Sequence, residues 1–408
     1  MKYCLIGGKL SHSFSAQIHE RNGFDYTLKE LDPSALDEFL RECGVDGFNV
    51  TIPYKEKVIP YLDEIAEDAK SMGSVNTVSV KNGKKYGYNT DVTGLDYMIK
   101  RKGYSLRGKI TLILGTGGAA KTVAYLAKKN GAKEVVFCSR TGETNYENVY
   151  EKAARAEVVF NATPVGTFPN VKVSPIDLSK FACLEAAFDL VYNPLRTEFV
   201  IQAQSLGVIV SDGLPMLVKQ AVEAERIWRG GAFDDNTEEI LTSILKEKTN
   251  IVLCGMPSCG KSSVAKLLAS TLNRPFFDTD EEIAKKYAKS AEEIILEEGE
   301  RAFRDKESAA IDDLSLVTGA VIAVGGGAVL REENVKNLKR NGIIVKIERD
   351  ISLLSEDGRP LSKKNGIKKL YEERNPIYDR AKDYVCENNG DIASCVKGVL
   401  KVYEDSCN

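Results

Sequence analysis

Histidine is almost absent from this 408-residue chain, which has only His12 and His19. That scarcity nearly excludes metal clusters and His-based catalytic triads. The nine cysteines form no CxxC pair, and several sit in apolar stretches, as Cys138 and Cys254 do. This pattern excludes a zinc ribbon or a disulfide frame and reads as reduced, buried thiols in a cytosolic protein. A basic excess is missing too: Lys+Arg 56 against Asp+Glu 59 gives a net charge of −3, without basic blocks. No nucleic-acid partner is expected, and an anionic ligand must be held by a few placed cations. Long apolar runs are also lacking. The most apolar window, residues 316–330, is interrupted by glycines and falls short of the ~20 residues that span a bilayer. The N-terminal apolar run is too short for a signal peptide. The expectation is a soluble, cytoplasmic protein without a membrane partner.

What is present is ordinary globular material, 43% hydrophobic and 28% charged, in a length that suggests two or three domains. Short β-rich runs alternate with helical patterns, the signature of an α/β fold. Residues 2–7, 47–52 and 76–80 read as strands, with Asn82-Gly83 as a hairpin turn. Residues 34–43 read as a helix capped by Asp32 or Ser34 and ended by Gly44. A second unit starts at Lys109 with strand 110–114, a glycine turn, helix 119–130 stopped by Gly131, and strand 134–138. Helical patterns follow over 216–228 and 237–248. A third unit restarts with strand 250–254, another glycine turn and helix 261–271. No Gly/Ser/Pro-rich linker marks the boundary near 248, and there is no internal repeat.

The two glycine turns differ in sequence and in what they are suited to hold. Gly255-Met256-Pro257-Ser258-Cys259-Gly260-Lys261-Ser262 fits GxxxxGK[ST] between a strand and a helix. The backbone N–H groups of such a loop, from Gly255 through Ser258, Cys259 and Gly260 to Ser263, point at phosphate oxygens. Lys261 would reach the β/γ phosphates of ATP and Ser262 the Mg²⁺. Asp278 or Asp280 is then a candidate to sit near the metal; an exposed acidic turn is the alternative. Gly115-Thr116-Gly117-Gly118-Ala119-Ala120 fits GxGxxG/A within a βαβ unit, which favours a dinucleotide over a packing turn. The next strand ends in Cys138-Ser139-Arg140, with no acidic residue for ribose hydroxyls. Arg140 suits a 2′-phosphate and hence NADP(H), unless it is simply a solvated arginine.

Around these turns stand further motifs. Ser11-His12-Ser13-Phe14-Ser15, Asn49 to Lys55, Asn76-Thr77, Asn89-Thr90-Asp91, Asn161-Ala162-Thr163, Asp189 to Tyr192 and Asp212 to Gln220 resemble shikimate dehydrogenase in order and spacing, to about residue 247. From 249 onward the chain resembles shikimate kinase, through the phosphate loop, Asp278-Thr279-Asp280, Gly299 to Arg304, Gly325 to Gly327, Arg359-Pro360-Leu361 and Arg374 to Tyr378. The resemblance implies two consecutive steps of the shikimate pathway of aromatic amino acid biosynthesis, from 3-dehydroshikimate to shikimate and then its phosphate. The implied fold is a two-lobed dehydrogenase followed by a P-loop, NMP-kinase-like α/β domain at 249–408. Its substrate lobe would be 1–100 completed by 212–247, and its Rossmann NADP lobe 101–211.

The same resemblance assigns roles. Lys55 and Asp91 are the implied catalytic pair. Ser13, Ser15, Thr51, Asn76, Tyr192 and Gln220 are implied to hold the substrate's carboxylate or ring hydroxyls, and Leu190 and Gly213 to receive the nicotinamide half of the cofactor. In the kinase, Asp280 would hold the attacking hydroxyl. Arg304 and Arg374 would grip the carboxylate, Gly326 would lie against the ring, and Arg359 would reach the transferring phosphate. A dehydrogenase joined to a nucleotide-sensing module, or one that uses quinate and NAD, is the rival expectation.

Overall fold

The structure, a computed structural model, describes residues 1–10, 13–231, 233–354 and 366–407. Ser11, His12 and Arg359 lie outside the described residues. The chain divides into two compact units, Met1–Leu241 and Thr242–Asn408, and the helix Thr237–Lys248 runs through the division.

The first unit contains two sheets. Strands β1 (Lys2–Gly7), β2 (Asp25–Glu30), β3 (Gly47–Val50), β4 (Glu64–Ile65), β5 (Thr77–Lys81) and β6 (Lys84–Tyr88) form a mixed sheet in the order β2-β1-β3-β5-β6-β4. β1 runs parallel to β2 and β3, whereas β5 is antiparallel to β3 and β6. The β5–β6 hairpin turns at Asn82 and Gly83, with φ +51° and +78°, the left-handed pair that matches strand twist. The helix Ala35–Glu42 is capped otherwise than its sequence suggests. Ser34 makes no side-chain capping bond, and the Ala35 N–H bonds the main-chain carbonyl of Asp32 at 3.0 Å. The positive φ at its end falls on Cys43 (+28°), not on Gly44.

Strands β7 (Ile110–Leu114), β8 (Glu134–Cys138), β9 (Val158–Asn161), β10 (Ala186–Asp189) and β11 (Ile209–Ser211) make a parallel sheet in the order β11-β10-β9-β7-β8. The order reverses at β7, so the crevice beyond its carboxyl end is the natural ligand position of such a sheet. After β11 the helix Leu214–Trp228 returns to the first sheet. The Trp228 indole N–H donates to the Val78 carbonyl at 3.0 Å, and its ring stacks on Tyr3 at 4.5 Å. The same helix lies on the helix Asp91–Arg101 so closely that a Cβ on Gly94 would stand 2.5 Å from the Met216 carbonyl oxygen.

In the second unit β12 (Asn250–Cys254), β13 (Phe276–Asp278), β14 (Val321–Ala323), β15 (Gly342–Glu348) and β16 (Tyr384–Glu387) form a parallel sheet in the order β13-β14-β12-β15-β16. The central β12 is buried along its length, as expected for a parallel strand covered on both faces. All nine cysteines are free; Cys183 is exposed, Cys43 half-buried and the rest buried. No helix among the described residues is long and apolar enough to cross a membrane.

The contact at Gly94 yields a direct test. Gly94→Ala forces one methyl against a main-chain oxygen and is expected to lower stability by about 1–3 kcal/mol, the scale of core overpacking. A denaturant midpoint indistinguishable from that of the parent chain contradicts the tight helix contact.

Candidate active sites

The first site is built on the loop that follows β3. Tyr54, 1% exposed, anchors that loop by donating its hydroxyl to the Leu31 carbonyl at 2.5 Å. The Lys55 carbonyl accepts from the Val75 N–H at 2.9 Å. Lys55 is thereby aimed at Asp91, the first residue of the helix Asp91–Arg101. Its Nζ donates to Asp91 Oδ2 at 2.6 Å, and the two side chains are 18% and 11% exposed. The other carboxylate oxygen accepts from Asn76 Nδ2 at 2.8 Å. Asn76 is fixed in turn, its Oδ1 accepting from the Thr90 N–H at 2.7 Å. With both oxygens of Asp91 engaged, the ammonium is oriented and keeps two further N–H bonds.

This pair lies in the wall of a cavity of about 580 Å³. Ser13, Ser15, Thr51, Asn76, Tyr192 and Gln220 line it as well, so the structure brings every expected substrate residue of this unit together. Ser13 Oγ donates to Ser15 Oγ at 3.1 Å, and burial pushes the Tyr192 hydroxyl pKa up. Ala119, Leu190 and Gly213 enter the same cavity from the carboxyl end of the parallel sheet. A Cβ on Gly213 would stand 2.3 Å from the Leu190 carbonyl oxygen, so only glycine fits this wall. The segment carrying Leu190 and Tyr192 is held by the buried Asp189, which accepts from Asn161 Nδ2 (2.9 Å), the Val191 N–H (3.0 Å) and Thr197 Oγ1 (2.5 Å). Burial raises that carboxyl's pKa to about 7. The sequence did not single out Lys9 and Leu10, which line the cavity together with Met216 and Leu217 of the Asp212-to-Gln220 motif. Asn49 lines it too, held by Tyr26 Oη at 2.7 Å; its place in the Asn49-to-Lys55 motif was the available signal.

Ala119 apart, the glycine turn after β7 is not part of that lining. Gly115 has φ +102°, and a Cβ there would approach the Ala162 carbonyl at 3.1 Å. Gly117 is different: nothing lies within 4 Å of its Cβ position. It caps the helix Gly118–Lys129 and, with Thr116, faces solvent. The missing side chain leaves room for a phosphate to reach the helix N-terminus. Arg140 is exposed beyond β8 and forms no ion pair among the described residues.

The second site gathers at the carboxyl end of β12. A Cβ on Gly255 (φ +141°) would meet the Ile347 carbonyl at 2.5 Å, and Ser258 also has positive φ, +64°. The loop therefore curls tightly before Gly260 opens the helix Lys261–Leu272. Lys261, 8% exposed, folds back to donate to the carbonyls of Gly255 (3.0 Å) and Met256 (2.9 Å). Ser262 Oγ donates to Asp278 Oδ2 at 2.7 Å, while Asp278 Oδ1 caps the helix Thr279–Tyr287 through the Asp280 N–H at 3.0 Å. Exposed Ser263 follows on the same helix. Around the Gly325–Gly327 turn converge the expected substrate groups. Asp280 Oδ1 lies 3.1 Å from a Cβ position on Gly325, and the Arg304 guanidinium lies 2.2–2.4 Å from one on Gly327. Arg374 Nη1 donates to the Gly326 carbonyl at 3.1 Å. Gly326 also faces Pro257 of the phosphate loop, 3.1 Å from its Cβ position. The turn is packed between loop and guanidinium, with no room for side chains. Glu307, fully buried, accepts from Arg304 Nη1 at 2.7 Å, and Tyr378 donates to the Gly326 carbonyl at 2.5 Å. Glu307 was not anticipated; it lies one helical turn beyond Arg304, and its place on the face with Phe303, Ala310, Ile311 and Leu314 was the available signal.

Comparison with known proteins agrees with this geometry. The profile "Shikimate dehydrogenase substrate binding domain" matches residues 5–78, and the profile "Shikimate kinase" matches residues 257–404. A shikimate dehydrogenase (NADP(+)) of Clostridium perfringens strain ATCC 13124 is 38% identical over 263 residues, covering 59% of this chain and 97% of the relative. Shikimate dehydrogenase 1 of Peptoclostridium difficile, a crystal structure, superimposes with a TM-score of 0.56 at 36% identity, over 60% of this chain and 98% of that one. The shikimate 5-dehydrogenase of Thermus thermophilus, solved with NADP(H) and shikimate, gives 0.53 at 33% identity, over 59% and 98%. The chain belongs to the shikimate dehydrogenase family, and it carries a shikimate kinase domain in the same polypeptide.

Proposed function

We propose that the chain is a bifunctional, cytoplasmic enzyme that reduces 3-dehydroshikimate to shikimate with NADPH and then phosphorylates shikimate with ATP to shikimate 3-phosphate. Residues 1–100 with 212–247 form the substrate lobe of the reductase, 101–211 its NADP lobe and 249–408 the kinase. The observation that carries the first activity is the Lys55–Asp91 pair, 2.6 Å apart, in a cavity whose walls come from both sheets of the first unit.

When bound, NADPH supplies the hydride. The residues suited to hold it are Gly115, Thr116, Gly117, Gly118 and Ala119, with Arg140 for a 2′-phosphate and Leu190 and Gly213 beside the nicotinamide. Reduction of a ring ketone leaves an oxygen that gathers negative charge and needs a proton. Lys55 Nζ donates it, and Asp91 keeps the ammonium aimed through their 2.6 Å hydrogen bond. Ser13, Ser15, Thr51, Asn76, Tyr192 and Gln220 orient the ring through its hydroxyls and carboxylate, which fixes the ketone against Lys55.

In the kinase unit ATP would be the phosphoryl donor, and Mg²⁺, when bound, would supply charge neutralisation at its phosphates. Ser262 and Asp278, bonded to each other, are the residues placed to meet the ion. Transfer of this kind needs positioning and charge stabilisation more than covalent help. Asp280 orients the attacking hydroxyl, Arg304 and Arg374 grip the carboxylate, and the bare Gly326 backbone lies against the ring. Lys261 leaves the loop carbonyls for the phosphates. Glu307 holds the Arg304 guanidinium in place.

Two sets of variants test the assignment. Lys55→Ala and Asp91→Asn are each expected to lower ketone reduction by ~10²–10⁴, the usual worth of a general acid–base group, while phosphorylation of supplied shikimate continues. Reduction within a few-fold of the parent rate in either variant refutes the catalytic role of the pair. In the kinase, Arg304→Ala and Arg374→Ala are expected chiefly to raise KM for shikimate, and Asp280→Asn to lower kcat. Equal effects of all three on kcat alone contradict the division between grip and positioning.

A further inference from the structure

One cation beside the phosphate loop is used by neither reaction as derived so far. Arg349 follows β15 directly, and its Nη1 stands 4.0 Å from a Cβ position on Gly260, the residue that opens the helix Lys261–Leu272. Asn388, directly after β16, converges on the same point. Its Nδ2 lies 2.4 Å from that Cβ position and donates to the Cys259 carbonyl at 2.7 Å. The topology explains the convergence. β12, β15 and β16 are adjacent and parallel, so the chain leaves all three at one edge of the sheet, where the loop lies.

Arg349 is only half-exposed, its Nε is buried without a hydrogen-bond partner, and it forms no ion pair among the described residues. Asn388 is 2% exposed, and its Oδ1 likewise lacks a partner. The neighbouring carboxylates are engaged elsewhere. Glu348 accepts from Lys346 at 2.8 Å, and Asp350 accepts from the Ser352 N–H at 2.9 Å. Withdrawing a guanidinium from water without an anion is unfavourable, and an anion bound beside it offsets that cost through charge-assisted hydrogen bonds.

We infer that Arg349 is a phosphate-binding cation of the nucleotide site, and that Asn388 is a positioning residue that holds the Cys259–Gly260 segment of the loop. The inference rests on the reading of the second unit as an ATP-using kinase. It adds to Lys261 a second positive group for the polyphosphate, supplied from the end of the neighbouring strand β15 rather than by the phosphate loop.

The test is made on the full chain with Arg349→Gln and Arg349→Lys. Calorimetry gives the Kd of Mg-ADP, steady-state kinetics the KM for ATP and for shikimate, and competition the inhibition by adenosine, which has the base but no phosphate. Arg349→Gln is expected to raise the ADP Kd and the ATP KM about tenfold, the scale of one charge-assisted hydrogen bond. The shikimate KM, the adenosine inhibition and NADPH oxidation are expected to stay unchanged, and Arg349→Lys to recover part of the loss. An unchanged ADP Kd in Arg349→Gln, or an equal loss for adenosine, overturns the inference. A parent chain that binds ADP but never phosphorylates shikimate refutes the kinase reading alone, because the ADP Kd still decides on Arg349.

Discussion

The reductase site depends on one close approach of backbone to backbone, at Gly94. Because that residue has no side chain, the helix Asp91–Arg101 rests directly on the main chain of the helix Leu214–Trp228. The first helix begins with Asp91 and the second carries Gln220 on the cavity wall. Trp228, clamped to β5 through the Val78 carbonyl, fixes the second helix to the substrate sheet. The relative position of Asp91, Asn76 and Gln220 is therefore set by packing contacts far from the solvent, and Lys55 inherits its aim from them. A strong, oriented ion pair in a half-buried wall follows from this rigidity and needs no unusual chemistry of its own.

The two phosphate cradles use the same physics with different economies of space. Each places a glycine turn between a parallel strand and a helix, so that free N–H groups and the helix dipole face one anion. In the second unit the neighbours dictate the glycines: the Ile347 carbonyl crowds Gly255, and the Asn388 amide crowds Gly260. In the first unit Gly115 is likewise constrained, but Gly117 looks into open space. None of the described residues lies within 4 Å of a side chain's first carbon there, so the bare backbone leaves space at the helix N-terminus. The difference suits the two ligands. A triphosphate is wrapped by a loop, whereas a dinucleotide is laid across the end of a sheet.

How much of this was legible in the sequence follows from the range over which each feature is encoded. The glycine turns, β7, β8 and β12, and the helix Thr237–Lys248 are specified by residues within a dozen positions, and they read correctly. The hairpin at Asn82-Gly83 does so for the same reason. The helix Ala35–Glu42 reads from its sequence, but its capping does not, because the Ala35 N–H bonds the main-chain carbonyl of Asp32 and Ser34 makes no side-chain cap. The residues from Ser13 to Gln220 were assembled through family resemblance, and no spacing rule joins them. Glu307, Asn388 and Arg349 were not singled out from the sequence. Glu307 falls on the helix face that Phe303, Ala310, Ile311 and Leu314 bury, so periodicity marks its burial, but no local pattern names its partner. Asn388 and Arg349 meet the phosphate loop only because β15 and β16 end beside β12, which is a property of strand order.

The central claim is that one chain performs two consecutive reactions, and a single coupled assay tests it most directly. The purified chain is given 3-dehydroshikimate, NADPH and ATP, and both NADPH oxidation and ADP formation are followed. The account predicts that ADP appears only after NADPH has been consumed, at no more than one ADP per NADPH, and that omitting NADPH abolishes ADP unless shikimate is supplied. NADPH oxidation without any ADP, even with shikimate added directly, would contradict it.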